Sequence, residues 1–434
     1  MTMVSRFLPN PSEVNLQHVL VPRQGAPLWE QALVSLWFLT TFVPFPNDEL
    51  ILYPIVLYFI GSTVLRYEQV VPVILKSWPV LLVPFMAGLS MFWSPASGTA
   101  LRFGLMMSVT AIAAIYIATR LTPREIIRAA FFACAVSAVV AISEVPLVGT
   151  PEGLYSQKNI FSIRMQLITI VSLGVAFDRG QNIALRALAV PFAVLTAVLV
   201  TQAESATALL LAGGSVVVMV SAWLIWTNVS RVEHLRTLMA LALGTILITG
   251  ALLFLNAPNN TFVNDGLFLL GKDSTLTNRT VLWADAARIA EQRPWFGVGA
   301  GGFWIAANGQ AESILDYSFK DPGTQFSFHS VFFEVMVHLG RIGLVCMLIQ
   351  IGWVLVNATR HWTRNPGMPQ ALLLLIALST IVVSFTESYL FGVFEIAIVL
   401  FLIAGISAVS EEAKFRRVLA PPMPPMTDMA VLRP

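Results

Sequence analysis

The stretch HSVFFEVMVHLGRIGLVCMLIQIGWVLVNA, residues 329–358, decides the fold. A bilayer-crossing helix takes about 20 mostly apolar residues. These 30 residues exceed that length, so the first two or three turns of one long helix can project into or above the headgroup region. His329 then stands at the exposed N-terminal end, where a helix terminus favours the neutral imidazole, the state a general base needs. Arg341 falls near the membrane boundary and can snorkel outward. Gly340 and Gly343 lie on nearly one face and permit close approach by another segment.

The rest of the chain has the same character. Of its 434 residues, 56% are hydrophobic and 12% charged, with a mean hydropathy of +0.76. A soluble fold of this length cannot hide that much apolar surface, so the expectation is an all-α polytopic membrane protein. The formal charge of +2 gives no reason to expect nucleic acid as a partner. Cys134 and Cys346 lie in apolar runs and read as packing residues. Residues 1–28 are polar and proline-rich, without the pattern of a secretory signal, and are expected to be a cytoplasmic segment before the first span.

Apolar runs fall near 29–46, 49–65, 71–91, 101–119, 124–145, 160–177, 184–201, 204–226, 236–255, 330–358, 370–387 and 389–409, which predicts twelve transmembrane helices. With the N-terminus inside, the cytoplasmic segments, including a tail over 410–434, collect 17 of the 26 Lys and Arg residues. The short outer loops and their flanks hold only Arg102, Lys158 and Arg164. This bias orients the chain. Spans one to nine then occupy 29–255 and spans ten to twelve 329–409, with the long loop 256–328 outside, periplasmic if the source is a bacterium with two membranes.

That loop is too small for a sizeable independent domain, yet it is patterned. Residues 280–293 have helical periodicity, with Val281, Trp283, Ala286, Ala287 and Ile289 expected to face a partner surface. Pro294 ends the helix, and GVGAGG at 297–302 reads as a flexible tight turn, not a nucleotide-binding fingerprint, since no parallel strand precedes it. A loop so long and partly ordered is expected to be a lid or site element.

Three motifs carry a family resemblance. His329, Ser330, nine residues, Gly340, Arg341, Ile342 and Gly343 form one signature. Upstream stand Arg279, Trp283 and RPWFGVGAGGF at 293–303. With the large outer loop between spans nine and ten, the chain resembles the bacterial O-antigen ligase and O-antigen or exopolysaccharide polymerase superfamily. SQKN at 156–159 and WSPASGTALR at 93–102 resemble segments of the polymerase-like members, with Gln157 where those have His. One departure concerns the outer ends of spans seven and eight, where members often carry a Ser-Arg or Ser-Lys pair. Here the chain has Glu204, Ser205, Ala206 and Thr207.

The resemblance implies a donor glycan on undecaprenyl pyrophosphate and a second glycan or lipid-linked sugar as acceptor, in the bacterial inner membrane with both termini cytoplasmic. It also implies direct displacement with inversion, without nucleotide sugar or ATP, and a chain-length regulator as a possible partner; the sequence shows no cluster of metal ligands, and no cofactor is expected. Independently of any family, an acceptor hydroxyl must lose a proton as it attacks the anomeric carbon, which His329 can take. The leaving pyrophosphate needs cations. Arg279 is the first candidate, since its planar donors suit phosphate, followed by Lys158, Arg164, Arg288, Arg293 and Arg341. Trp295, Phe296, Phe303 and Trp304 can line an apolar groove for the polyprenyl tail or anchor the loop at the interface.

Plainer roles stand beside these. His329 can simply cap a helix, and Arg279 can form a salt bridge within its loop. Lys158 can be solvated, and His338 reads as packing or local hydrogen bonding. Glu334 lies five residues from His329 and off its helical face, so an acid that orients the imidazole is expected from another segment. Glu204 and Glu387, near short outer turns, can be buried or interfacial, and Asp265, Asp273 and Asp316 cannot be ranked. A transporter of polysaccharide lipids is the alternative from another class, but no internal repeat or pair of broken helices supports it. The His-Ser-Gly-Gly signature favours a ligase acting on a lipid A-core acceptor. The segments at 93–102 and 156–159 favour a polymerase, the reading adopted.

Overall fold

Between Leu121 and Glu125 the chain writes its own helix start. Thr122 Oγ1 accepts the Glu125 N–H at 3.3 Å, Glu125 Oε2 accepts the Thr122 N–H at 2.8 Å, and Pro123 takes the first helical position. This reciprocal cap satisfies donors that a helix terminus otherwise leaves orphaned. In the computed structural model the described residues are 25–43, 45, 47–143, 158–203, 205–229, 279–306, 308–324 and 326–419, with 238, 241 and 245 singly. Among them the secondary structure is entirely helical.

The helices are α1 (Leu28–Thr40), α2 (Glu49–Leu65), α3 (Tyr67–Lys76), α4 (Leu82–Leu89), α5 (Ser97–Arg120), α6 (Pro123–Ser143), α7 (Lys158–Phe177), α8 (Ile183–Gln202), α9 (Ala206–Val229), α10 (Arg279–Gln292), α11 (Gly309–Tyr317), α12 (Val331–Arg364), α13 (Met368–Ser384) and α14 (Ile396–Leu419). Among the described residues, six helices are long and apolar enough to cross a membrane: α5, α6, α7, α8, α12 and the 396–413 part of α14. The pair α2 and α3, bent by 98°, makes a seventh if counted as one span. The protein is therefore an all-α polytopic membrane protein, while twelve remains a count of apolar runs. Apart from residues 238, 241 and 245, the run 236–255 lies outside the described residues, as do 256–278, Gln157, Glu204, Asp265 and Asp273.

Where runs and helices differ, the cause is local. The run 71–91 breaks into α3, a 3-10 turn Trp78–Leu81, α4 and a second turn Ser90–Phe92, with Pro79 in the first turn after the break, Pro84 in the first turn of α4 and Pro72 within α3. The run 29–46 yields a helix of only 13 residues, about 20 Å long at the usual rise. Between α13 and α14 the chain leaves helical geometry for eleven residues, FTESYLFGVFE, 385–395, with one 3-10 turn at Tyr389–Phe391.

Basic residues that the charge bias assigns to the inner side are structurally engaged. Fully buried Glu30 receives Arg120 Nε at 2.9 Å, Arg120 Nη2 at 2.8 Å and the Tyr116 hydroxyl at 2.6 Å, which ties α1 to α5. Arg124 pairs with Asp178 after α7 at 2.7 Å, and Arg128 donates to Gln31 Oε1 at 2.6 Å.

The long helix carries the largest departure from expectation. It begins at Val331, and it is broken at Gly340, whose φ of 67° and ψ of −166° are not helical. Such a break strands donors and acceptors of the i to i−4 ladder in an apolar setting, where each must find a partner. The segment 294–299 supplies them. Val298 and Gly299 donate to the Val337 and His338 carbonyls at 3.0 and 2.7 Å, and the Arg341 and Ile342 N–H groups reach the Pro294 and Trp295 carbonyls at 2.8 and 3.2 Å. The glycine-rich motif is thus a docked splint and not a free turn. A Cβ on Gly340 would meet the Trp295 carbonyl at 2.4 Å, and one on Gly297 the Val337 oxygen at 2.5 Å.

Helix α10 packs on α12 around a second apolar core that includes Leu282, Ala286, Ile289, Phe303, Trp304, Ile314, Phe328 and Val337. The buried face of α10 runs Leu282, Ala286, Ile289, Ala290, so of the expected face Ala286 and Ile289 are buried, Trp283 and Ala287 half-buried, and Val281 exposed. Leu282, with the same helical phase as Ala286 and Ile289, takes the place expected for Val281.

Candidate active site

The residue before His329 is held at every polar backbone atom. Phe328 donates its N–H to Glu334 Oε2 at 2.7 Å, and its carbonyl accepts Trp283 Nε1–H at 2.9 Å. Its ring is fully buried against Phe303 and Trp304, at 5.2 and 4.9 Å between centroids. His329 itself takes a left-handed φ of 50°, with its N–H directed to Ser327 Oγ at 3.3 Å. Few residues other than glycine adopt that conformation, and holding it costs about 1–3 kcal/mol unless the surroundings over-determine it. The contacts on Phe328 do so.

The imidazole meets an acid from another segment. His329 Nδ1 lies 3.0 Å from Glu387 Oε2, and the second oxygen of the same carboxylate accepts from Arg279 Nη2 at 2.7 Å. The side chains of His329, Arg279 and Glu387 are 20%, 15% and 9% exposed, so the His329 ring is the most accessible of the three. A carboxylate beside Nδ1 fixes the tautomer with the hydrogen on Nδ1, which leaves the Nε2 lone pair free to take a proton. Arg279 opens α10, and Trp283, one turn on, reaches the Phe328 carbonyl. The Arg and the aromatic thus lie on one face and clasp the same turn. Glu387 sits in the irregular 385–395 connection, its N–H bonded to the Val383 carbonyl at 2.8 Å.

Beneath this pair lies a second polar cluster. Buried Glu334 accepts from Phe328 N–H, from Trp304 Nε1–H at 3.1 Å and from Ser388 Oγ–H at 3.4 Å, and its Oε1 is 3.1 Å from His338 Nε2. His338 Nδ1 faces the Gly299 carbonyl at 3.0 Å. Glu334 forms no hydrogen bond or ion pair with the His329 ring, in line with its helical phase, and His338 has the local hydrogen-bonding role expected of it.

The other candidate cations are dispersed. Arg164, 10% exposed, places Nη2 at 2.8 and 2.9 Å from the two Glu395 oxygens, while Nη1 reaches the Phe42 carbonyl. It lines a cavity of about 30 Å³ together with Gln166, Thr380, Tyr389 and Glu395. That is an interhelical position and not the open outer flank expected. Arg288 is exposed and paired with Asp285 at 2.9 Å, on a face where Asp285 also accepts the Tyr317 hydroxyl at 2.8 Å. Partial burial and this carboxylate push the Tyr317 phenol above its usual range. Asp316 lies in α11 one residue before Tyr317, on the exposed side. Arg293 is exposed at the end of α10, and Arg341 lies 5.6 Å over the Trp295 ring at the helix break. Lys158 begins α7 and forms no ion pair among the described residues. Of the expected groove residues, Trp295 and Phe296 are exposed, but Phe303 and Trp304 belong to the second core. Trp93, in the segment 93–102, donates to the Phe296 carbonyl at 3.0 Å and so braces the splint, and just before it Ser90 Oγ accepts the N–H of Ala300, the residue after the splint, at 2.9 Å.

Residues 189–348 match the family model described as O-antigen ligase. Over this segment the chain is similar to the O-antigen ligase family. That segment spans Arg279, the splint and the turn bearing His329, and it ends before Glu387. The exopolysaccharide production protein ExoQ of Rhizobium meliloti (strain 1021) is 24% identical over 299 residues, an alignment covering 66% of this chain and 66% of that protein. The chain thus spans just under two thirds of its relative's length. Both comparisons bear out the superfamily resemblance carried by the sequence motifs.

Proposed function

We propose that the protein polymerises undecaprenyl-pyrophosphate-linked oligosaccharide repeat units into O-antigen or exopolysaccharide by inverting glycosyl transfer. The observation that carries this reading is the Glu387 carboxylate shared between His329 Nδ1 and Arg279 Nη2. One acid orients a base and holds a phosphate-type cation beside it. As the acceptor hydroxyl oxygen attacks the anomeric carbon, its proton passes to His329 Nε2, and the resulting imidazolium is stabilised by Glu387. The bond from the anomeric carbon to the pyrophosphate oxygen breaks, and the electron pair leaves on the pyrophosphate. Arg279 has five N–H donors, of which Glu387 takes one, so others can meet that charge as it develops. The site faces the periplasm in this reading, with both termini cytoplasmic.

The description of ExoQ as an exopolysaccharide production protein supports polymer synthesis. The ligase reading draws on the O-antigen ligase family match and on the His329-Ser330-Gly340-Gly343 signature. Reconstitution into proteoliposomes with the native undecaprenyl-pyrophosphate-linked repeat unit separates them. A ladder from donor alone, lost in His329→Ala, is the expected result. Transfer only after a separate lipid acceptor is added would make the protein a ligase, and full activity in His329→Ala would remove the proposed base.

A further inference from the structure

The carboxylate of Glu334 forms no hydrogen bond or ion pair with His329 or Arg279, yet it bonds to the neighbours of both site residues that face each other. Its Oε2 accepts from the N–H of Phe328, next to His329, at 2.7 Å, and from the hydroxyl of Ser388, next to Glu387, at 3.4 Å. We propose that Glu334 is a positioning residue, which sets the register of the turn bearing His329 against the connection bearing Glu387. The inference rests on the glycosyl-transfer reading above.

The cluster is built to hold that carboxylate in place. Trp304 Nε1–H and His338 Nε2 converge on its Oε1, both at 3.1 Å, and the side chain is 7% exposed. Both ring nitrogens of His338 face oxygen, Nε2 the carboxylate and Nδ1 the Gly299 carbonyl. The second of these ties the cluster to the splint across the Gly340 break, where Gly299 N–H returns to the His338 carbonyl at 2.7 Å. Glu334 therefore joins three chain segments: the turn before α12, the splint, and the connection after α13. A base displaced by about 1 Å loses on the order of 10²-fold in rate even when the displacing change is remote from the chemistry.

The test is a set of Glu334 variants in proteoliposomes, assayed for turnover of the native lipid-linked repeat unit. Glu334→Leu, which has no acceptor, is expected to lower kcat about 30- to 100-fold with the donor KM within about threefold. Glu334→Gln keeps an oxygen for the Phe328 N–H while its NH2 faces the Trp304 N–H, and is expected to recover part of the loss, to within about tenfold of the parent. In a His329→Ala background Glu334→Leu is expected to lower the residual rate by much less than its full factor, because only its hold on the connection bearing Glu387 is left to lose. Should the leucine variant not fold, Glu334→Asp retains the charge and draws the carboxylate back from Phe328, with an expected loss of about tenfold in kcat. The proposal is overturned if the Leu or Asp variants keep kcat within threefold, if Gln is as impaired as Leu, or if Glu334→Leu lowers the His329→Ala residual rate by its full factor. Wild-type turnover in His329→Ala alone would instead overturn the base assignment, whatever the Glu334 variants do.

Discussion

Replacing Glu387 by Gln exchanges one acceptor oxygen for a donor amide, at a group that now serves two donors. The carboxylate places Oε2 at 3.0 Å from His329 Nδ1 and Oε1 at 2.7 Å from Arg279 Nη2. A glutamine can satisfy one of them and must oppose the other. If its oxygen turns to Arg279, the amide N–H faces His329 Nδ1 and selects the tautomer with hydrogen on Nε2, which cannot accept a proton. The corresponding acid-to-amide change in a serine–histidine–aspartate triad costs about 10⁴-fold in kcat through the wrong tautomer. If the oxygen turns to His329, Arg279 loses its anchor, and a misplaced electrostatic donor costs about 10²- to 10³-fold. Glu387→Gln is thus expected to lower kcat by about 10²- to 10⁴-fold, on the order of 3–5 kcal/mol in the barrier. Turnover of the lipid-linked donor in proteoliposomes measures it, with the thermal midpoint in detergent confirming that the variant is folded. A folded Glu387→Gln protein with more than one tenth of the parent kcat would refute the shared-carboxylate mechanism.

Gly340→Ala places a Cβ about 2.4 Å from the Trp295 carbonyl at a backbone φ of 67°, and is expected to destabilise the protein by roughly 2–5 kcal/mol, read as a lowered thermal midpoint and faster proteolysis at the splint. Arg164→Met leaves Glu395 in place without its bidentate partner and is expected to cost about 3–5 kcal/mol, whereas Arg164→Met with Glu395→Gln recovers most of the folded yield; an unchanged midpoint in the single variant would return Arg164 to the list of substrate ligands. Deprotonating Tyr317 would lose its hydrogen bond to Asp285 and set two negative charges together, so this contact is complete below the ordinary tyrosine range and lost only above it. A difference titration at alkaline pH, parent against Tyr317→Phe, should show that phenol ionising later than a free tyrosine.

Much of the fold was legible because hydropathy is local. The runs at 101–119, 124–145, 160–177 and 184–201 became α5 to α8 with ends shifted by a few residues, since each stretch carries its own length and apolarity and needs no partner to be recognised. The run 71–91, read as one span, instead broke at Ser77, just before Pro79. Arg279, Trp283, His329 and the glycine motif could be read as a set because their identities and spacing are written along the chain.

Tertiary structure decided what those residues meet. Glu387 stands 58 residues from His329 and 108 from Arg279, and its only trace in the sequence is a carboxylate in a short interruption between two apolar runs. Glu334 was set aside on helical phase, which describes neighbours on one helix but not a carboxylate that works through the backbone of the preceding turn. The continuous helix expected at 329–358 fails at Gly340 because a segment 40 residues upstream supplies the hydrogen bonds that make a break affordable. Arg164, a candidate cation for the leaving pyrophosphate, is paired with Glu395, 231 residues away. Apolar content and periodicity fix which segments become helices, since those depend on near neighbours along the chain. Which charges pair, and which base is left with an open lone pair, depends on partners that only the packing of distant segments brings within 3 Å.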